Sequence, residues 1–94
     1  MYIDDFVWLT ETANKVAHKH RVTPDEAEEI FFNNPKYRFV ESGHRSGENV
    51  YSAGGQTDAG RFLIVFFIYK GDNTALILSA RDMDAAERRR HERK

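Results

Sequence analysis

The side chains of this sequence that can transfer protons or hold anions are histidines, arginines and lysines. The 94 residues include four His and fourteen Lys and Arg but no Cys, which excludes thiolate chemistry and a disulfide scaffold. Imidazole exchanges protons near neutral pH, and guanidinium groups bind phosphate through paired hydrogen bonds. These are the groups of a metal-independent ribonuclease, which needs a base, an acid and cations for the charge developing on phosphorus. Solvated helix faces use the same residue types, so composition alone leaves both interpretations open.

Metal and cofactor motifs are missing from the sequence. His18 and His20 are two positions apart, which on a helix separates their side chains by about 200°. No HExxH pattern or carboxylate cluster is present. The pair Gly54-Gly55 is not followed by Lys-Ser/Thr, so it indicates a bulge or a close backbone approach within a strand rather than a phosphate loop. We therefore expect no metal and no cofactor.

Charge is distributed unevenly along the chain. The formal net charge is −1, which taken alone argues against a nucleic-acid binder. Residues 1–34 carry three basic and seven acidic side chains, whereas residues 35–94 carry eleven basic and eight acidic ones. A basic surface on the second portion is compatible with this split, and it predicts weak, strongly salt-dependent binding to few phosphates.

Three helices are predicted to position these side chains. Apolar spacing favours a helix from Thr10 to about His20. The segment Thr23–Glu26 combines a capping hydroxyl, a proline at the first helical position and a glutamate three residues on, so it starts a second helix. Pro35 follows the end of that helix. Asp84–Glu87 is a similar capping pattern for a C-terminal helix.

The strands are predicted between the second and third helices. They are 37–40, 50–57, 61–69 and 74–80, separated by Gly-containing loops and turns. Arg61–Tyr69 is almost entirely apolar and is the candidate central strand. Phe6–Trp8 is a short strand or a hydrophobic plug. The fold class is therefore α+β: an antiparallel meander of about four strands with two N-terminal helices and one C-terminal helix, in one domain of residues 1–94.

Membrane insertion is not expected. The longest apolar run, Phe62–Tyr69, has eight residues, and a membrane helix needs about 20. The N-terminus is acidic where a signal peptide is basic. A cytoplasmic protein is the expectation.

Several short motifs follow one another in a fixed order from Phe6 to about Glu92. They are Phe6-Val7-Trp8, Lys19-His20, Ala27…Phe31…Pro35, His44 ahead of Gly47-Glu48, Gly60-Arg61, and Ser79-Ala80-Arg81 before Glu87-Arg88-Arg89. In this order they resemble the BrnT family of bacterial type II toxins, whose fold resembles that of RelE-type ribonucleases. The resemblance implies a metal-independent endoribonuclease that cleaves RNA, inhibits growth and is neutralised by a cognate antitoxin in a hetero-oligomer.

The resemblance also implies site residues. His20 is the preferred general base or acid with Lys19 beside it, and Arg61 and Arg81 hold the scissile phosphate. The remaining RNA contacts are His44, Tyr51, Arg88, Arg89 and His91, of which Arg88 and Arg89 either extend the RNA track or meet the antitoxin.

Simpler roles stay open for several of these residues. Arg61 also suits a strand-edge residue that opposes aggregation. Arg81 also suits an ion pair with Asp82 or Asp84. Tyr51, like Trp8, also suits core packing.

Four positions depart from the family pattern. Arg21 follows Lys-His where Gly is usual, Val50 and Leu76 stand where Arg is expected, and His91 stands where Tyr is expected. His91 either replaces the phenol as proton donor or faces solvent. These departures motivate an alternative function, a non-catalytic module on the same fold that binds a protein or antitoxin. An unrelated small α+β domain is a third hypothesis.

Overall fold

The computed structural model describes residues 1–45 and 47–93, and within them three helices and five strands follow the predicted order. The helices are α1 (Thr10–His20), α2 (Pro24–Glu29), which runs into a 3₁₀ turn (Ile30–Phe32), and α3 (Ala85–Glu92). The strands are β1 (Asp5–Val7), β2 (Lys36–Glu41), β3 (Val50–Gln56), β4 (Phe62–Gly71) and β5 (Thr74–Asp82). The α+β class is confirmed. None of these helices is long and apolar enough to cross a membrane.

The sheet corrects the predicted strand count and direction. In the described residues it has five strands in the order β1-β5-β4-β3-β2, not about four. β2 to β5 form the antiparallel meander as predicted, but β1 pairs parallel with β5, so the sheet is mixed. β1 is anchored by the amides of Asp4 and Asp5, which donate to the carbonyl of Asn73 at 3.0 and 3.2 Å. A three-residue strand whose partner lies about seventy positions away carries too little local pattern to predict its pairing.

The core lies between α1, α2 and one face of the sheet. Leu63, Val65 and Phe67 alternate along β4 and are fully buried on this face, as expected for the central strand. The Phe67 ring meets that of Phe31 at 5.5 Å, edge to face. Gly55 sits beneath the 3₁₀ turn, where an added Cβ would lie 3.1 Å from the Ile30 carbonyl oxygen. Gly55 thus marks a close backbone approach, and β3 keeps regular register with β4 through both glycines.

Helix starts follow the predicted capping chemistry. Thr23 accepts from the amide of Glu26, and the Glu26 carboxylate accepts from the amide of Thr23. Asp84 and Glu87 make the same reciprocal pair at the start of α3. α1 ends at Arg21, which takes a left-handed conformation with φ 55°, the geometry that favours Gly at this position.

The other face of the sheet, here called the open face, carries α3 at one end only. Its side chains form rows across the strands. One row joins Lys36, Gly54, Ile64 and Arg81, and the next joins Arg38, Ser52, Phe66 and Ser79. α3 lies over the first of these rows and over Phe62, because His91 and Arg88 both contact the Phe62 ring.

Candidate active site

A cavity of about 260 Å³ lies between α3 and the open face. Its floor is apolar, with Ile64 from β4, Met83 from the segment before α3, and the backbone of Gly54. An added Cβ on Gly54 would lie 3.0 Å from Met83 Cε and 3.8 Å from His91 Nδ1, so the missing side chain keeps this space open. The other lining residues are Lys36, Tyr37, Arg38, Ser52, Glu87, Arg90 and His91.

Three cations line this cavity. Lys36 and Arg38 are two apart on β2 and therefore project onto the same face. Arg90 comes from the last turn of α3. Lys36 Nζ donates to the carbonyls of His91 and, at 3.0 Å, Arg93, so it ties the end of α3 to β2. Among the described residues neither Arg38 nor Arg90 has a carboxylate oxygen within salt-bridge distance, although the charge of Arg90 helps to lower the pKa of Glu87.

His91 is the imidazole of this cavity. It is partly buried, and its ring meets that of Phe62 edge to face at 5.9 Å between centroids. Burial lowers the pKa of His91 below its ordinary 6.5, and the neighbouring Lys36 charge lowers it further, while Glu92 raises it. The ring is therefore neutral at pH 7 and able to accept a proton. Of the two roles considered for His91, facing solvent does not describe this position.

Arg81 lies beside the cavity in an ion pair with α3. Its two terminal nitrogens donate to the Glu87 carboxylate at 2.7 and 2.9 Å, and its guanidinium lies 5.5 Å from the centre of the Phe66 ring. The hydrogen bond from Arg81 lowers the pKa of Glu87 and keeps it ionised. The expected alternative partners were Asp82 or Asp84, and this was wrong: Asp82 gives Arg81 only its backbone carbonyl. Glu87 takes the role because the capping box already holds its side chain over the strand end.

Arg61 lies on the helix side of the sheet and joins three elements. Its Nε and Nη2 donate to the Asp82 carboxylate at 2.8 and 3.1 Å. Its Nη1 donates to the Arg21 carbonyl at 2.7 Å and to Glu26, and its Nη2 donates to the His20 carbonyl at 3.2 Å. All five guanidinium N–H groups therefore have an acceptor. The two carboxylates raise the pKa of Arg61, chiefly through the Asp82 hydrogen bond.

The structure separates the four predicted catalytic residues into two groups. Lys19 is exposed and His20 partly buried at the end of α1, close to Arg61. Arg81 follows on the opposite face, since it pairs with Ile64 on β4 while its neighbour Asp82 pairs with Leu63 of the core face. The sheet thus lies between Arg81 and the Lys19–His20–Arg61 group.

The predicted RNA contacts are also dispersed. Tyr51 packs on the core, with its ring stacked 6.0 Å from that of Phe67. His44 is exposed in the loop between β2 and β3, and Arg89 is exposed on α3. Arg88 lies 4.1 Å from the centre of the Phe62 ring, which His91 also contacts, and it pairs with Glu92.

Sequence reasoning missed Lys36, Arg38 and Arg90 as site residues. The available signal was the Lys-x-Arg spacing at the start of a short strand: Lys36 directly precedes the predicted strand 37–40, and an extended chain places Lys36 and Arg38 on one face. Nothing local indicated that this face meets the C-terminal helix, because Lys36 and His91 are 55 positions apart.

Comparison with known proteins was made by sequence and by fold. No curated protein sequence matches the chain. A solved structure does: the 1.1 Å crystal structure of the Brucella abortus ribonuclease toxin, BrnT, matches with a TM-score of 0.63 and 17% sequence identity, covering 86% of this chain and 99% of that one. At this identity the match shows a shared fold. The profile of the family described as "Ribonuclease toxin, BrnT, of type II toxin-antitoxin system" matches residues 8–87. The chain therefore belongs to the BrnT family of ribonuclease toxins of type II toxin–antitoxin systems.

Proposed function

We propose that the protein is a metal-independent endoribonuclease that cleaves RNA in the cavity beneath α3, with His91 as the general base. The observation that supports this most is the placement of a neutral imidazole in an open cavity lined by Lys36, Arg38 and Arg90. RNA carries its own nucleophile, the 2′-hydroxyl, so the enzyme has to move protons and stabilise charge at one phosphate.

The proposed step begins when His91 takes the proton of the 2′-hydroxyl. The 2′-oxygen attacks the adjacent phosphorus, and the bond from phosphorus to the 5′-oxygen breaks. The products are a 2′,3′-cyclic phosphate and a 5′-hydroxyl that has taken its proton from water. A base with a pKa below that of ordinary histidine is mainly unprotonated at pH 7, which is the form that accepts the proton.

The cations stabilise the charge that grows on the phosphate oxygens during this step. Arg38 and Arg90 are proposed as the direct phosphate ligands, because neither forms an ion pair in the described part of the chain. Lys36 contributes its charge and holds α3 through two backbone carbonyls. Arg81 acts as a positioning residue, since its ion pair with Glu87 fixes the start of α3 against the sheet.

The site implied by the family resemblance, His20 with Lys19 and Arg61, remains a second hypothesis for the catalytic centre. Its difficulty is Arg61, whose five donors are all engaged by protein acceptors. A phosphate would have to displace a carboxylate or a helix-terminal carbonyl to bind there. The cavity beneath α3 requires no such displacement at Arg38 or Arg90.

The family assignment supplies the protein partner. A type II toxin is paired with an antitoxin protein, and we propose that the cognate antitoxin forms a hetero-oligomer with this chain and stops cleavage. Under this proposal the protein acts in the cytoplasm, where messenger RNA is available. We also propose that the fold is RelE-like, as the resemblance implies.

The test is cleavage of a labelled single-stranded RNA in the presence of EDTA. We expect His91→Asn to lower the rate at least about 100-fold, as loss of a general base does. The matched control is His18→Asn, which changes an exposed histidine of α1 and is expected to leave the rate unchanged. Arg38→Ala is expected to weaken RNA binding.

Equal rates for the His91 variant and the wild type would refute the assignment of the base. Intact RNA with the wild-type protein, together with normal growth on induction, would favour the non-catalytic binding module instead.

A further inference from the structure

An apolar row crosses the open face beyond the reach of α3. It consists of Val7, Leu76, Ile68 and Val50, which are register partners across β1, β5, β4 and β3. Val7 is 43% exposed, and the other three are partly exposed. With neighbouring strands about 4.8 Å apart, the row is about 14 Å long. Four adjacent aliphatic side chains on the face opposite the core need an explanation other than internal packing.

The chemistry of this row does not suit RNA. RNA-binding sheet faces present aromatic rings for stacking and cations for phosphates, and the row contains neither. An apolar surface with a polar border is typical of a contact with another protein.

The charges around the row indicate which protein fits. Arg38 lies in the adjacent row on the cavity side, with Lys36 and Arg81 one row further. Glu41 lies at the far end of the row beside Val50. A partner segment with apolar side chains on the row and carboxylates towards Arg38 is complementary to this pattern. A second copy of the chain would bring a like set of cations to the same face.

We propose that the apolar row is a docking surface for the antitoxin, which lays an apolar segment along it and directs acidic side chains at Arg38 and the cavity. This inference rests on the proposed function, because the partner is the antitoxin and the cavity is the RNA site. A partner bound in this way covers the cavity entrance from the Arg38 side. Inhibition then follows from occupation of the phosphate site by carboxylates.

The experiment measures binding of the cognate antitoxin, by isothermal titration, to the wild type and three variants. Leu76→Asp and Val7→Asp each place a carboxylate in the row. Each is expected to weaken binding at least about tenfold, because burying the aliphatic Leu or Val side chain contributes one to two powers of ten in affinity. Val7 is an exposed edge residue, so its variant is the one most certain to fold. The matched control is Phe39→Asp, a 57% exposed apolar residue on the opposite face, which is expected to bind as the wild type.

Three outcomes would overturn the proposal. The first is antitoxin binding that the row variants leave unchanged, or that the wild type itself lacks. The second is self-association of the wild type that Leu76→Asp abolishes. The third is an equal loss of RNA affinity in the row variants. The RNA cleavage rate of the row variants, compared with the wild type, separates the two proposals. Row variants that cleave RNA normally but no longer bind the antitoxin support both proposals. If the row variants lose antitoxin binding and the wild type itself does not cleave RNA, only the proposed ribonuclease activity is refuted.

Discussion

Replacing Arg61 by alanine distinguishes a structural from a catalytic role for this residue. In the structure its side chain joins the end of α1, the start of α2 and the end of β5 through six hydrogen bonds. The family resemblance instead implies a phosphate ligand. We expect Arg61→Ala to lower the free energy of unfolding and to leave cleavage by the folded protein intact.

The size of the effect follows from the exposure of each partner. The Asp82 side chain is 60% exposed, so its ion pair with Arg61 contributes at most about 1 kcal/mol. Arg61 and Glu26 are 28% and 31% exposed, and that pair and the two helix-terminal carbonyls together contribute about 1–2 kcal/mol after screening. The total is at most about 2–3 kcal/mol, which in a domain of this size lowers Tm by up to roughly 10–20 °C.

The assay is thermal unfolding followed by circular dichroism, with RNA cleavage measured at a temperature where the variant is folded. Arg89→Ala is the control, because Arg89 is exposed on α3 and is expected to change Tm by no more than about 2 °C. An Arg61→Ala protein that melts with the wild type yet no longer cleaves RNA would refute this reasoning and restore Arg61 to the catalytic site.

Three further predictions concern the cavity and its strand. Gly55→Ala is expected to lower stability by about 1–3 kcal/mol, because its Cβ meets the Ile30 backbone. Gly54→Ala is expected to keep Tm and to weaken RNA binding, because its Cβ meets the movable Met83 methyl at 3.0 Å and lies at an ordinary contact distance of 3.8 Å from His91 Nδ1. Equal melting of the two variants would contradict this. Burial lowers the pKa of His91, so protonation of this side chain favours the unfolded chain. The free energy of unfolding should therefore fall as the pH drops from 7 through 6.5 towards the lowered pKa. A His91→Asn protein whose stability depends on pH like that of the wild type would count against this prediction. The logarithm of the RNA association constant should fall with the logarithm of the salt concentration at a slope of about −2, as for three phosphates on a single strand. Arg38→Ala should reduce the size of this slope by about 0.7. Salt-independent binding would exclude the cation cluster as the RNA site.

The sequence predicts best where structure is local. The two capping boxes at Thr23 and Asp84 form as their motifs indicate, because each involves residues three positions apart. The central strand β4 is also recognisable, since its nearly continuous apolar run has no other stable location. The parallel pairing of β1 with β5 was missed, because three residues carry no periodicity that specifies a partner.

The site was harder to predict than the fold because its parts are far apart in sequence. Lys36 and Arg38 meet His91 only after the meander has placed β2 opposite the C-terminal helix. Arg81 was predicted to hold the scissile phosphate or to pair with Asp82 or Asp84, and its actual partner, Glu87, depends on how the Asp84 cap directs α3. For Arg61 the sequence shows a cation before a strand and cannot show the helix-terminal carbonyls that it binds.

Backbone amide chemical-shift mapping with a non-cleavable 2′-O-methyl RNA tests the central claim, RNA binding beneath α3, most directly. We expect the largest shifts at Lys36, Arg38, Gly54 and His91, with little change at the end of α1. Shifts concentrated at Lys19, His20 and Arg61, with the cavity residues unchanged, would contradict the account.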